Sequence, residues 1–181
     1  MSRYVCDSRP GSVIVGSHVQ KTTEQLNELL RMPGISAIEV DVERIDRDRE
    51  DLLQSISNMI NEVHHAGRTA VIYTSRVELT FASQSERLDF GKRVSAFLMD
   101  VVRSLPESLG FLISKGGITS NDVLSDGLAL RASRVVGQIL PGCSVVRCPS
   151  DHDLFPDMPV VIFPGNVGDK HALAKAYKHL A

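Results

Sequence analysis

Apolar positions along the chain alternate between two periods. Ser12-Val-Ile-Val-Gly16 is a short apolar run of the kind that forms a buried strand. After Ser17 the spacing lengthens. Leu26, Leu29 and Leu30 make a helical stripe that Pro33-Gly34 stops, and Thr22 with Gln25 has the spacing of a capping box. The alternation then repeats. Ile35 to Val42 predicts a second strand, and Leu52, Ile56, Met59, Ile60 and Val63 a second helix that starts near Asp48 and Asp51 and ends at Gly67. Thr69 to Tyr73 predicts a third strand. A third helix follows, with Ser83 and Glu86 as its capping box and Phe90, Val94, Phe97, Leu98 and Val101 as its inner stripe. Phe111 to Ser114 predicts a fourth strand, after which Thr119, Ser120, Asn121 and Asp122 open a helix carrying Val123, Leu124 and Leu128.

Beyond Arg131 the pattern changes. Val135 to Leu140 and Ser144 to Arg147 flank Pro141-Gly142, which suits a type II turn between antiparallel strands. Val160 to Phe163 is a last apolar strand, and Leu173, Tyr177 and Leu180 stripe a closing helix whose other face carries Lys170, Lys175 and Lys178. Strands alternating with amphipathic helices predict an α/β fold: three layers, with a mainly parallel mixed β-sheet and helices on both faces. Residues 1–11 show no periodicity and read as a linker or the stub of an upstream domain, leaving 12–181 as the folded domain.

Composition narrows the function classes. Hydrophobic residues make up 43% and charged residues 23% of 181 positions, as in ordinary soluble globular proteins. Lys plus Arg total 20 against 22 Asp plus Glu, a net charge of −2, so neither nucleic acid nor a membrane surface is an expected partner. No apolar run reaches membrane-spanning length, and the polar start lacks the hydrophobic segment of a signal peptide. The 3 cysteines, Cys6, Cys143 and Cys148, have no framework spacing, which points to a reducing, cytoplasmic setting. Cys143, Cys148 and His152 match no zinc pattern, and no metal site is expected from them.

Ligands of open α/β sheets collect beyond the carboxyl ends of the strands. Three stretches there are rich in glycine and small hydroxyls: Gly16-Ser17-His18, Gly116-Gly-Ile-Thr-Ser120 and Gly165-Asn-Val-Gly168. If their strands are parallel neighbours, the loops converge. Glycines admit close backbone approach and hydroxyls contact phosphate or metal-bound water, so the combination favours a nucleotide phosphate over an apolar ligand. Plain turns and helix caps would leave the same residues, and that alternative stays open here. Neither G-x-x-x-x-G-K-[ST] nor G-x-G-x-x-G occurs. Lys115 lies within reach of such a phosphate, although a lysine at a strand end is ordinarily solvated. His18 and His152 are ordinary surface candidates, and His64 and His65 suit a helix C-terminus. No Ser/His/Asp set or carboxylate pair can be assembled, so no catalytic residue is assigned.

The order Val-Ile-Val-Gly-Ser17 with Thr-x-x-Gln-Leu, then Ile-Ser-Lys-Gly-Gly-Ile-Thr-Ser120, then Phe-Pro-Gly-Asn-Val-Gly168 resembles the C-terminal nucleotide-binding domain of the four-carbon acid sugar kinase family. The similarity runs from about Ser12 to the chain end. Proteins of this family also carry the label Hrp-dependent type III effector. The resemblance implies an ATP site, with Mg²⁺, formed by Ser17, by Gly116, Gly117, Ile118, Thr119 and Ser120, and by Gly165 and Asn166. It implies kinase activity toward threonate- or erythronate-type acids in carbohydrate metabolism, and a separate sugar-acid domain upstream as partner. A homo-oligomer is a further partner to be tested. Two departures stand out: Ile118 where many members have Glu, and Phe163-Pro164 where many have Lys-Ser. These departures keep open a second reading, a non-catalytic interaction or effector module with the same fold. A nicotinamide-binding domain is the third reading, and the missing glycine fingerprint weighs against it.

Overall fold

A computed structural model describes residues 4, 9–76 and 79–181. Its strands are β1 (Ser12–Val15), β2 (Ile35–Val40), β3 (Thr69–Thr74), β4 (Leu112–Lys115), β5 (Arg134–Leu140), β6 (Cys143–Arg147) and β7 (Pro159–Phe163). The helices are α1 (Gln20–Leu30), α2 (Arg49–His65), α3 (Gln84–Arg103), α4 (Gly117–Asp122) and α5 (Ala172–Lys178). All seven strands form one sheet in the order β2-β3-β1-β4-β7-β6-β5. Strands β2, β3, β1, β4 and β7 are parallel, while β6 and β5 continue the sheet antiparallel. The predicted three-layer α/β architecture is therefore the observed one.

Alternate strand residues serve the two faces. Ile14, Ile72, Leu112 and Val160 point to a core closed by α2 and α3, with Ile56, Ile60, Phe97 and Val101 as its deepest helical contributions. Val13, Val15, Val71, Ile113 and Val161 point to the opposite core under α1 and α5, filled by Leu26, Leu29, Leu173 and Tyr177. Because the central strands are covered on both sides, they read as continuous apolar runs. Pro141-Gly142 makes the expected tight connection: Gly142 has φ +80°, and Leu140 pairs with Cys143 across it.

Several expected boundaries move, each for a local reason. The second strand stops at Val40, because Asp41 caps a short 3₁₀ turn at Val42–Arg44 and accepts from the Glu43 N–H at 3.0 Å. Helix α1 begins at Gln20, so Thr22 and Gln25 do not form a capping box; both are buried and bond to residues of the site described below. Ser83 does cap α3, accepting from the Glu86 N–H at 3.1 Å, while Glu86 bonds back to the Ala82 N–H. Helix α4 starts at Gly117, two residues before the expected opening, and widens into a π turn at Val123–Gly127.

Most of the expected linker over 1–11, Cys6 included, lies outside the described residues. Tyr4 is buried, and its hydroxyl donates to the Gln138 carbonyl at 3.0 Å. Cys143 and Cys148 are buried free thiols, each pushed up to about 11 by burial. Among the described residues, no helix is long and apolar enough to cross a membrane.

His64 ties α2 to the start of β1. Its Nε2 lies 3.2 Å from Ser12 Oγ and 3.1 Å from the Gly11 carbonyl, and its buried Nδ1 has no partner among the described residues. Burial lowers its pKa below 6.5, partly offset by the Gly11 bond. The fold thus prefers neutral His64, whereas the unfolded chain takes up a proton near pH 6.5, so stability present above that pH is lost as pH falls through it toward the lower folded value. The urea midpoint is expected to drop between pH 7.5 and 5.5, and His64→Gln to flatten that slope; an unchanged slope would show that His64 carries none of it.

Candidate functional site

The last residues of three neighbouring parallel strands are in register. Val15 pairs with Lys115, and Lys115 with Phe163, so the loops after β1, β4 and β7 leave the sheet at one level. Beside them the chain direction divides. From β1 the chain passes through α1 to the β2-β3 side, whereas β4 and β7 lie on the other flank of β1. A crevice outside the carboxyl ends at such a switch point is where open α/β sheets bind ligands.

The middle loop is the tightest. Gly116 has φ +123°, a conformation side-chain-bearing residues rarely adopt, and its N–H donates to the Phe163 carbonyl at 2.9 Å. This turn delivers Gly117, Ile118 and Thr119 as the first residues of α4, whose N–H groups have no intrahelical acceptor. Thr119 is buried with Oγ1 turned toward the β1 loop: a Cβ on Gly16 would sit 2.6 Å from it, and one on Gly116 3.0 Å from it and 3.2 Å from Ser17 Cβ. The two loops are therefore in contact. By contrast, Cβ atoms added at Gly117 and Gly165 would meet nothing within 4 Å, so these backbones face open space.

The third loop is held from below by Lys115. Its ammonium is fully buried, a correction to the solvated position expected for a strand-end lysine. Nζ donates to the Pro164 and Gly165 carbonyls at 2.8 and 2.9 Å and lies 4.6 Å from the Phe163 ring centroid. Pairing of β4 with β7 places Phe163 beside it, and that ring and the following carbonyls replace the water a lysine usually keeps. Burial pushes the Lys115 pKa down to about 8. From α1, Gln25 Nε2 donates to the Val167 and Asp169 carbonyls at 2.9 and 2.8 Å, Lys21 Nζ to the Asn166 carbonyl at 3.3 Å, and Thr22 Oγ1 to Ser17 Oγ at 3.3 Å. One helix face thereby ties the first loop to the third.

On the other side of β1, Arg76 Nη1 donates to the Ser17 carbonyl at 2.5 Å, and Thr74 Oγ1 lies 3.0 Å from His18 Nε2. Loss of water on that inner edge, and then the Arg76 charge, lower the His18 pKa. Ser17, Gly116, Gly117, Thr119 and Gly165 thus line one edge. Ser120 is placed differently: its hydroxyl donates to the Ser114 carbonyl at 2.9 Å and accepts from Ser114 Oγ at 2.7 Å, fastening α4 to β4. Ile118 is 77% exposed at the rim, and Asn166 is exposed. His152 lies elsewhere and organises its own loop, with Nε2 2.9 Å from the Leu128 carbonyl and Nδ1 accepting from the Leu154 and Phe155 N–H groups. Among the described residues, no group of three or more His, Cys, Asp and Glu side chains could hold a metal ion.

Sequence reasoning missed Gln25 and Arg76. Gln25 carried a misleading capping signal, and Arg76 a faint one, an arginine just past an apolar strand at the ligand-bearing end of a sheet.

The family model described as "Nucleotide-binding C-terminal domain" matches residues 12–173. A comparison with curated proteins returns no match. Among solved structures, a Salmonella typhimurium LT2 protein with a provisional tRNA-synthase name superposes with a TM-score of 0.75 at 19% identity, over 99% of this chain and 43% of its own. A Haemophilus influenzae protein of family DUF1537 gives 0.69 at 17%, over 95% and 42%. A Bordetella bronchiseptica DUF1537 protein, crystallised with citrate as a domain-swapped dimer, gives 0.71 at 16%, over 94% and 41%. At these identities the likeness establishes the fold, and this chain spans less than half of each relative's length.

The packing separates two kinds of glycine. Gly16→Ala is expected to cost about 1–3 kcal/mol through the clash with Thr119 and Leu98. Gly117→Val should stay within about 0.5 kcal/mol of the parent, as an exposed substitution does. Urea unfolding of both variants checks this, and equal effects would contradict the assigned packing.

Proposed function

This chain belongs to the nucleotide-binding C-terminal domain family, and we propose that the three-loop edge holds ATP with Mg²⁺ as one half of a kinase acting on four-carbon sugar acids. The observation that carries this reading is the convergence of the β1, β4 and β7 loops, with open backbone at Gly117 and Gly165 and the Ser17 and Thr119 hydroxyls between them. Such an edge suits a polyphosphate: N–H groups of the first turn of α4 face the anion, and glycine lets the chain pass close to it. Ser17 and Thr119 are the hydroxyls available to phosphate oxygens or metal-bound water. A Mg²⁺ ion would be held chiefly by the phosphates and its own waters, with the Ser17 and Thr119 hydroxyls as the protein groups available to those waters. The chemistry it would supply is neutralisation of the charge that develops during phosphoryl transfer.

The rest of the chain positions. Lys115 and Gln25 fix the carbonyls of the third loop, so its outward side is presented in one arrangement. Phosphoryl transfer is catalysed largely by positioning and electrostatics, and both substrates must be held in line. The acceptor acid and its base belong, in this proposal, to a separate sugar-acid domain, consistent with relatives more than twice as long. The chain by itself then binds nucleotide and turns over negligibly.

The exposed Ile118 favours a second reading, in which the same edge docks a protein without nucleotide chemistry. Calorimetry with ATP and Mg²⁺ separates the two. Saturable binding is expected at or below millimolar nucleotide, and Gly117→Val should weaken it by about tenfold or more, equivalent to ~1.4 kcal/mol. Absence of binding would favour the docking module, and an unaltered affinity in the variant would remove the α4 turn from the site.

A further inference from the structure

Arg76 is the least satisfied polar group at this edge. It stands just beyond the end of β3, half-buried, and its Nη1 donates to the Ser17 carbonyl at 2.5 Å. Its Nε and Nη2 atoms are buried and make no hydrogen bond among the described residues. Those two nitrogens carry three N–H groups of a permanently charged fork. The Glu39 charge acts on the guanidinium from a distance without giving it a hydrogen bond among the described residues. Glu39 accepts a hydrogen bond from the Tyr73 hydroxyl at 3.2 Å and forms no ion pair with Arg76 among the described residues.

A buried cation with donors unmet is costly in a folded protein, and such groups persist mainly where function requires them. The guanidinium is also in the right place. It bonds to the backbone of Ser17, whose Cβ lies against the Gly116 turn, and it flanks that turn on the β3 side while the Gly165 loop flanks it on the β7 side. Planar guanidinium forks match phosphate and carboxylate oxygens two at a time. We propose that Arg76 receives an oxyanion, a phosphate or carboxylate group bound at the β1–β3 side of the edge, on the Nε and Nη2 donors that are otherwise unmet. The inference does not require the nucleotide reading, because any ligand presenting such a group would satisfy the fork.

Thermal unfolding of the chain, of Arg76→Met and of Arg76→Lys tests this, in inorganic phosphate against chloride at equal ionic strength, and with ADP or ATP. Without ligand, Arg76→Met is expected to melt at or above the parent temperature, since it removes unmet donors. Phosphate should raise the parent's Tm, Arg76→Met should lose that shift, and Arg76→Lys, which keeps charge without the fork, should retain only part of it. If the oxyanion is the terminal phosphate of a nucleotide, ATP stabilises the parent more than ADP and the difference disappears in Arg76→Met. If it is the acid group of another ligand, ATP and ADP act alike on both proteins while the phosphate shift is still lost. Ligand-free destabilisation of both variants would make Arg76 a structural residue and overturn the proposal. So would a parent indifferent to phosphate, or variants that respond as the parent does. A parent that responds to phosphate but to neither nucleotide would overturn the ATP reading alone.

Discussion

Register between β1, β4 and β7 is the constraint on which the rest of this molecule depends. Parallel pairing aligns Val15, Lys115 and Phe163, so three loops far apart in sequence begin at the same height above the sheet. Sheet register is set by burial on both faces: a slip of one residue would carry Val13, Val15, Ile113 and Val161 from one core into the other. The apolar cores thereby fix where the small, polar loops meet, and the energy that positions the candidate site is spent well below it.

Fine adjustment above the sheet falls to buried polar groups. Lys115 is the clearest case, a charged residue at no exposure whose ammonium is shared by two loop carbonyls and an aromatic face. Removing water from that ammonium is unfavourable and lowers its pKa to about 8, and the hydrogen bonds and ring contact offset the cost. The Phe163-Pro164 pair, a departure from the pattern of the family that the sequence resembles, is thus part of how this chain holds its third loop. Gln25 and Thr22 act from α1 in the same sense. Arg76 differs in degree: among the described residues its Nη1 is met by the Ser17 carbonyl, but two of its nitrogens have no partner, against the single Oε1 of Gln25.

How much of this was legible in sequence follows from the range of the forces involved. Buried parallel strands announce themselves as apolar runs, so each strand and each amphipathic helix could be read, and the switch to antiparallel pairing was marked by Pro141-Gly142. Glycine-rich loops were legible because their requirement is local: the backbone conformation of Gly116 needs no distant partner to be recognised. Residues whose roles depend on distant partners were not. Gln25 meets the Val167 carbonyl across a separation of 142 positions, Arg76 meets Ser17 across 59, and Lys115 meets Pro164 across 49. Nothing in local spacing distinguishes such a residue from a cap or a solvated surface group, and the misread boundaries at Thr22, Gln25 and Thr119 come from the same source.

Three loops that act as one binding edge must respond to a ligand together. Amide hydrogen exchange measured with and without ATP and Mg²⁺ addresses this most directly, because it reads each loop separately and needs no substitution. Joint slowing is expected over residues 16–18, 117–119 and 165–167 with little change at β5 and β6. Slowing confined to one of the three loops, or located elsewhere on the sheet, would contradict it.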